Sequence, residues 1–395
     1  MDLSKLNSPS QEQYHHRVRH AQNAMMQSGV DVIVLSGPDF HNYFTGLWGL
    51  PVGRAVWLVM HQSGEPVFVA PRSEALEIKA RCETEVAVEW FEWERKIAGP
   101  MAHQDALAAC ISLTTGSIGL DYNHTSGSNL ELVKRTFGAE RVRDVTSLLQ
   151  DLWACKDAEG ITAIEQSCDI VGHQFMECRQ VISPGTCEWR VTLASVQTAI
   201  ERNGQLLGEN EELPRFWPHQ LNMVGSGVNR TARCHTSGGG RIMQDGEHVQ
   251  ICLCGQLFRG HAVCFDRPLP VGSKPLSGDV RKVIKTARDA QLAALSAIRP
   301  GATAGEVHAA AVAVVNRGGW TEPFLHRTGR GIGYSDWDGI ELKAGSETVL
   351  KVGNVLSVEP GIYVEGIGGA RFGDTVLVTE TGYEALTPLD LGKDI

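Results

Sequence analysis

No run of apolar residues in this 395-residue chain approaches the ~20 needed to cross a bilayer, so a membrane-spanning helix is not expected. An excess of positive charge is missing too. The chain has 36 basic against 46 acidic residues, a formal charge of −10, which excludes a general attraction for nucleic acid or anionic membrane. A local cationic pocket for a small anion stays open. The opening Met1-Asp-Leu-Ser-Lys5 lacks the charged-then-apolar pattern of a secretory signal, and there is neither a low-complexity tract nor a short-period repeat. Ten cysteines spread over this length do not make the dense disulfide framework of a small secreted domain, so reduced thiols in a cytoplasm are expected.

What is present is enough chain for two domains, each with a core. The first third alternates the two secondary-structure periods. A helix is predicted over 11–28, from Ser10 to the Gly29 stop, followed by a buried strand at Val30–Leu35. Strands at 55–60, 66–70, 86–90 and 118–121 alternate with helices at 73–81, 101–112 and 128–137. That order predicts an α/β domain with a mixed sheet over residues 1–155. From Asp157 a long helical pattern begins, and a second helix covers 188–206. Strands at 249–254 and 257–265, helices at 277–298 and 304–317, and closing strands at 355–358 and 375–379 follow. Residues 156–395 are therefore expected to form an α+β domain, helices over an antiparallel sheet.

Five motifs sit in this second part. They are Val224-Gly-Ser-Gly-Val-Asn229 with His235, the paired strands Val249–Pro268, His326-Arg-Thr-Gly-Arg-Gly-Ile-Gly333, Ser357-Val-Glu-Pro-Gly-Ile-Tyr363, and Gly369-Ala-Arg-Phe-Gly-Asp-Thr-Val376. In order and spacing they resemble the aminopeptidase P, prolidase and creatinase family, whose C-terminal domain is the pita-bread fold. The resemblance implies an α/β N-terminal domain plus an α+β pita-bread catalytic domain, and it covers nearly the whole chain.

Metal-dependent members of that family carry two Asp, one His and two Glu as ligands. Carried over residue by residue, those positions are Cys252, Cys264, Arg330, Glu359 and Gly373. Only the glutamate survives, and a permanently protonated arginine is never a ligand. No metal and no cofactor is therefore expected. An alternative donor set of Cys252, Cys254 and Cys264 with His235 and His261 would suit zinc, against the reading of strand cysteines as small core residues.

The resemblance is nearest to the metal-independent creatinase branch. It implies His235 as acid and base, Asp266 and Glu359 as carboxylates holding a cationic substrate, and Arg54 as a carboxylate binder reaching a neighbouring subunit of a homodimer. Physical chemistry gives each role content. A histidine shuttles protons near neutral pH, paired carboxylates grip a guanidinium by charge-assisted bonds, and arginine binds carboxylates bidentately. The competing readings are a turn-capping His235, a salt bridge from Asp266 to Arg267 or Arg330, a solvent-facing Glu359, and a surface Arg54. Arg330 is a second anion holder, His326 a supporting hydrogen-bonder, and Trp48, Trp217, Tyr334 and Trp337 are candidate pocket walls.

The expected activity is metal-independent hydrolysis of a C–N bond in a small zwitterionic guanidino or amidine compound. The expected partner is that small molecule, with no nucleic acid or membrane. Three alternatives stand beside it: a pita-bread binding protein without catalysis, a peptidase with an altered metal site, and a cyclic-amidine hydrolase of the ectoine-cleaving kind.

Overall fold

The computed structural model describes residues 11–50, 54–91, 100–111, 116–209, 211–213 and 220–388. Trp217 lies outside them. The chain forms two compact units that part between Trp153 and Ala154. No helix among the described residues is long and apolar enough to cross a membrane.

The first unit runs α1 (Gln11–Ser28), β1 (Val32–Leu35), α2 (Pro38–Thr45), β2 (Trp57–His61), β3 (Val67–Pro71), α3 (Arg72–Arg81), β4 (Val86–Trp90), α4 (His103–Ile111), β5 (Ile118–Leu120), α5 (Gly127–Phe137), β6 (Val142–Asp144) and α6 (Thr146–Ala154). Its sheet has the order β4-β3-β2-β1-β5-β6. Antiparallel pairing at β1–β2 and β2–β3 is flanked by parallel pairs, which is the mixed sheet expected. Three elements escaped the sequence reading: α2, β6 and the helix α6 that closes the unit. In α2, aromatic, Asn and Thr residues make a poor helix former, yet Pro38 starts it, Gly46 in a left-handed conformation stops it, and burial holds it. The short β6 is half-exposed and carries no hydrophobic run.

The second unit opens with α7 (Ala158–Val181), whose N-terminus is capped by the Asp157 carboxylate accepting from Gly160 N. It continues with α8 (Glu188–Leu206), β7 (Gln220–Ser226), α9 (Gly227–Thr231), β8 (His248–Gln256), β9 (Ala262–Pro270), α10 (Gly278–Ala297) and α11 (Ala304–Arg317). The last strands are β10 (Gly329–Gly331), β11 (Glu341–Leu342), β12 (Val355–Val358), β13 (Gly361–Val364), β14 (Gly368–Arg371), β15 (Asp374–Thr379) and β16 (Gly382–Ala385). All pairings here are antiparallel, in sheets β7-β8-β9, β11-β10-β12-β15-β16 and β13-β14. The strands β7, β10, β11, β13, β14 and β16 and the single-turn α9 were not predicted; every one of these strands except β11 contains glycine, which weakens a strand pattern. The strand expected at 257–265 is also interrupted. Residues 258–260 form a tight turn with Arg259 at φ 47° and Gly260 at φ 74°, so β9 starts only at Ala262.

Helices α7 and α8 pack on β7–β9 through one apolar core, and α10 and α11 cover the other sheet through a second. The two sheets meet where Asp266 and Gly373 exchange backbone hydrogen bonds of 3.0 and 3.1 Å. One step along, the fully buried Arg267 places Nη2 2.9 and 3.1 Å from the two Asp374 oxygens, with Gln291 and Thr387 donating to the same carboxylate. This seam positions the site described below. Behind it Phe175 of α7 meets Phe265 of β9 edge to face, ring centroids 5.2 Å apart. We predict that Phe175→Ala lowers unfolding stability by about 3–5 kcal/mol, the cost of an aromatic-sized core deletion, measured by urea denaturation. A change under 1 kcal/mol would show that the ring does not support the seam.

Candidate functional site

A strand shows alternate side chains to one face, and the register of β8 and β9 sets Cys252 opposite Asp266 and Cys254 opposite Cys264. All four therefore point the same way, into the seam. Cys254, rather than Cys252, is the partner of Cys264. Their Cα atoms are 4.1 Å apart and their sulfurs are joined as a disulfide, where reduced thiols were expected. The reason is local: the narrow pairing of an antiparallel ladder presses opposite side chains together. The other cysteines are free.

From the other sheet, Glu359 follows β12 and lies two residues beyond Ser357, the register partner of Arg330. The same two-residue repeat brings Arg330 onto Glu359, and the two form an ion pair. On β14, Arg371 is held by Gln250 of β8, whose side-chain oxygen accepts from Arg371 N at 2.9 Å. Arg371 is 4% exposed and pairs through Nη2 with Asp266 Oδ1 at 2.9 Å. The remaining oxygens, Asp266 Oδ2 and Glu359 Oε2, each lie 3.3 Å from Cys264 Sγ. Gly373, where the family carries a glutamate, leaves room for this: a Cβ there would come 2.0 Å from Asp266 Oδ2.

The electrostatics follow. Burial pushes the Asp266 carboxyl up; Arg371 opposes this and Glu359 adds to it, so the carboxyl sits above its ordinary range. Burial acts on Glu359 in the same direction, but Arg330, Arg371 and His326 outweigh it and hold the carboxyl low. Burial raises the Cys252 thiol far above its usual value. For His326, burial and then Arg371 depress the imidazole. Its Nδ1 lies 2.7 Å from Arg327 O, a carbonyl that only accepts, so Nδ1 carries the proton. Nε2 then accepts from the Tyr363 hydroxyl at 2.9 Å.

His235 stands exposed at the edge of this cluster, its Nε2 3.8 Å from Cys234 Sγ and within electrostatic reach of His326. The structure thus gathers His235, Asp266, Glu359, Arg330 and His326. Tyr334 departs from expectation: it is 2% exposed and its hydroxyl donates to Asp157 at 3.0 Å, so it braces the start of α7 rather than lining a pocket. Trp337 is half-buried in the turn after β10, beside Asp336, whose carbonyl accepts from Arg330 Nε at 2.7 Å. Arg54 and Trp48 belong to the first unit. Arg54 pairs with Glu74 at 3.4 Å, and Trp48 accepts from Arg81 through its carbonyl.

Sequence reasoning assigned no role to Arg371, Tyr363 or Cys234, and it named Cys254 only in the alternative zinc donor set. Arg371 carried a readable signal, since it lies two residues from Gly373 and so shares the face of a vacated ligand position. Cys254 was legible only as one of several strand thiols.

The family's dinuclear metal centre does not fit these residues. Cys254, Cys264, Asp266 and Glu359 do bring ligand atoms within 4.8 Å of one another. Yet the two sulfurs are bonded to each other, both carboxylates are held by guanidiniums, and those cations occupy the same cavity. A divalent ion would have to displace both arginines into low dielectric, which charge repulsion opposes.

We predict that Arg371→Met, leaving Asp266 buried without its cation, costs about 3–5 kcal/mol in urea denaturation, and that Arg371→Met with Asp266→Leu recovers much of it. Equal losses in the single and double variants would refute the pairing. Because the folded Glu359 carboxyl is lowered, its stabilising contribution is complete above the ordinary glutamate range and is lost as pH falls through its lowered value. Glu359→Gln should therefore flatten the acid side of the stability-versus-pH curve.

Residues 162–380 match Metallopeptidase family M24, and residues 17–153 match the Creatinase/Prolidase N-terminal domain. The chain is 72% identical over 391 residues, 98% of this chain and 99% of the other, to an agropine synthesis cyclase from Rhizobium rhizogenes. It is 30% identical over 273 residues, 69% of this chain and 74% of the relative, to the Xaa-Pro dipeptidase of Pyrococcus furiosus. Among solved structures it is similar to a dipeptidase from Mycobacterium ulcerans, with TM-score 0.81, 26% identity and 97% of each chain covered. A prolidase from Pyrococcus horikoshii shares the fold at TM-score 0.79 and 22% identity, covering 95% of this chain and 99% of that one. A creatinase-type N-terminal domain ahead of a matched pita-bread domain, together with the 30% identity to a dipeptidase over two thirds of the chain, places this chain in Metallopeptidase family M24.

Proposed function

We propose that this chain is a cyclase: it closes a ring within a small polar substrate, at a pita-bread site rebuilt to work without a metal. The observation that carries the reading is whole-length 72% identity to an agropine synthesis cyclase, joined to a site where two guanidiniums stand among the former ligands. Peptidase relatives act at a carboxyl-derived carbon. Ring closure at such a carbon is the same acyl transfer with one change: a hydroxyl or amine of the substrate replaces water as the nucleophile.

Under this reading His235 takes the proton of the internal nucleophile and passes it to the departing group, water from a carboxyl or ammonia from an amide. Arg371 and Arg330 hold carboxyl oxygen and the negative charge that develops on it, a duty metal ions have in hydrolytic sites. Asp266 and Glu359 keep those guanidiniums aimed. This differs from the creatinase-like expectation, in which the same carboxylates grip a substrate guanidinium; here each already has one from the protein. Holding the substrate in the folded, near-attack shape supplies much of the rate, because the reaction is intramolecular.

A catalyst accelerates both directions, so agropine itself is the test compound. Purified protein should open agropine with uptake of water, read by mass spectrometry, and EDTA should leave the rate unchanged. His235→Ala should lower kcat by about 10²–10⁴-fold. Inert agropine combined with cleavage of an Xaa-Pro dipeptide, restored by added divalent metal, would refute both the cyclase and the metal-free parts.

A further inference from the structure

Immediately before His235 stands Cys234, a half-buried free thiol that the chemistry above does not use. Its surroundings are unusual for a structural cysteine. His235 Nε2 is 3.8 Å from its sulfur, and Arg371 Nη1 is 3.6 Å away on another side. The Tyr363 hydroxyl also interacts with it, although its one proton is already given to His326 Nε2. A base and a fixed cation thus flank one nucleophilic atom, the pairing that a covalent nucleophile needs beside it.

A second observation points to a ligand at the same place. Arg371 is 4% exposed, and its Nε has no hydrogen-bond partner among the described residues, although Nη1 and Nη2 are engaged. A buried guanidinium N–H left open costs free energy unless something binds it in the working state. An acyl oxygen bonded to a carbon at the Cys234 sulfur is a fitting acceptor.

We propose that Cys234 is the catalytic nucleophile, forming a thioester with the substrate before the ring closes. This rests on the cyclase reading. In the first step Cys234 Sγ bonds to the carboxyl-derived carbon and its proton moves to His235. The bond from that carbon to the departing group breaks, and the departing group leaves carrying the proton from His235, as water or ammonia. In the second step the substrate's own hydroxyl or amine attacks the thioester carbon. His235 takes its proton, the C–S bond breaks, and the proton returns to sulfur. The sum is one ring and one small molecule released, with no oxidant or reductant. The disulfide of Cys254 and Cys264 does not enter.

The test has two arms. First, native full-length protein is treated with substoichiometric iodoacetamide and the labelled peptides are mapped. Cys234 should be alkylated at least tenfold faster than Cys155, an exposed thiol outside the site, and His235→Ala should erase that preference. Second, agropine turnover is compared for wild type, Cys234→Ala and Cys234→Ser, with Cys155→Ser as control and acid-quenched wild type weighed for an acyl adduct on the Cys234 peptide. Loss of turnover by at least 100-fold in both Cys234 variants, with unchanged melting temperature and an adduct in wild type, supports the proposal. Wild-type turnover in Cys234→Ala overturns it and leaves the cyclase reading standing. If wild type does not open agropine, the cyclase reading fails and labelling decides: Cys155 reacting ahead of Cys234 overturns the nucleophile.

Discussion

Two carboxylates buried at one seam cannot both remain charged unless cations are buried with them. Asp266 and Glu359 face each other across the meeting of two sheets, and Arg371 and Arg330 neutralise them one to one. In metal-dependent relatives of this fold the carboxylates have divalent ions to balance. Here guanidiniums do that work, and they bring donors rather than open coordination positions. Everything else about the site is consistent with that exchange. Gly373 vacates the volume the Asp266 carboxylate uses, Gln250 fixes the strand that carries Arg371, and two sulfurs fill the space between the acids.

The scaffold around the seam is correspondingly rigid. Arg267 and Asp374 form a second, fully buried pair one residue further along, satisfied by Gln291 and Thr387, so the two sheets are joined by ion pairs as well as by backbone bonds. Such pairs contribute little net stability compared with apolar packing, but breaking one is costly. They therefore specify one geometry strongly. Under the proposed ring closure, which requires a flexible substrate folded on itself, such fixed walls are an advantage.

A cyclase within a peptidase family needs no new electrophile. On the proposed reading the acyl carbon is retained, and the change lies in what attacks it and what stabilises the oxygen. On that reading, arginine in place of hydrated metal removes the activated water that would hydrolyse the substrate and leaves fixed positive charge for the oxyanion. On the same reading the imidazole of His235, exposed at the rim, moves protons between a substrate nucleophile and a departing group.

Periodicity and capping chemistry in the sequence were sufficient for the two domains, the mixed N-terminal sheet and the long helices α7, α8, α10 and α11, while the changed residues at ligand positions 252, 264, 330 and 373 came from the family resemblance. These are local properties, written in residue type and spacing. His235, Asp266, Glu359 and Arg330 were legible because they sit in ordered motifs. Only the tertiary structure decided that the acids hold the protein's own arginines, that Cys254 joins Cys264, that Arg371 belongs to the site, and that Tyr334 does not. Each of those outcomes depends on which atoms meet across strands distant in the chain. Register and burial set such meetings, and neither can be read from one segment alone.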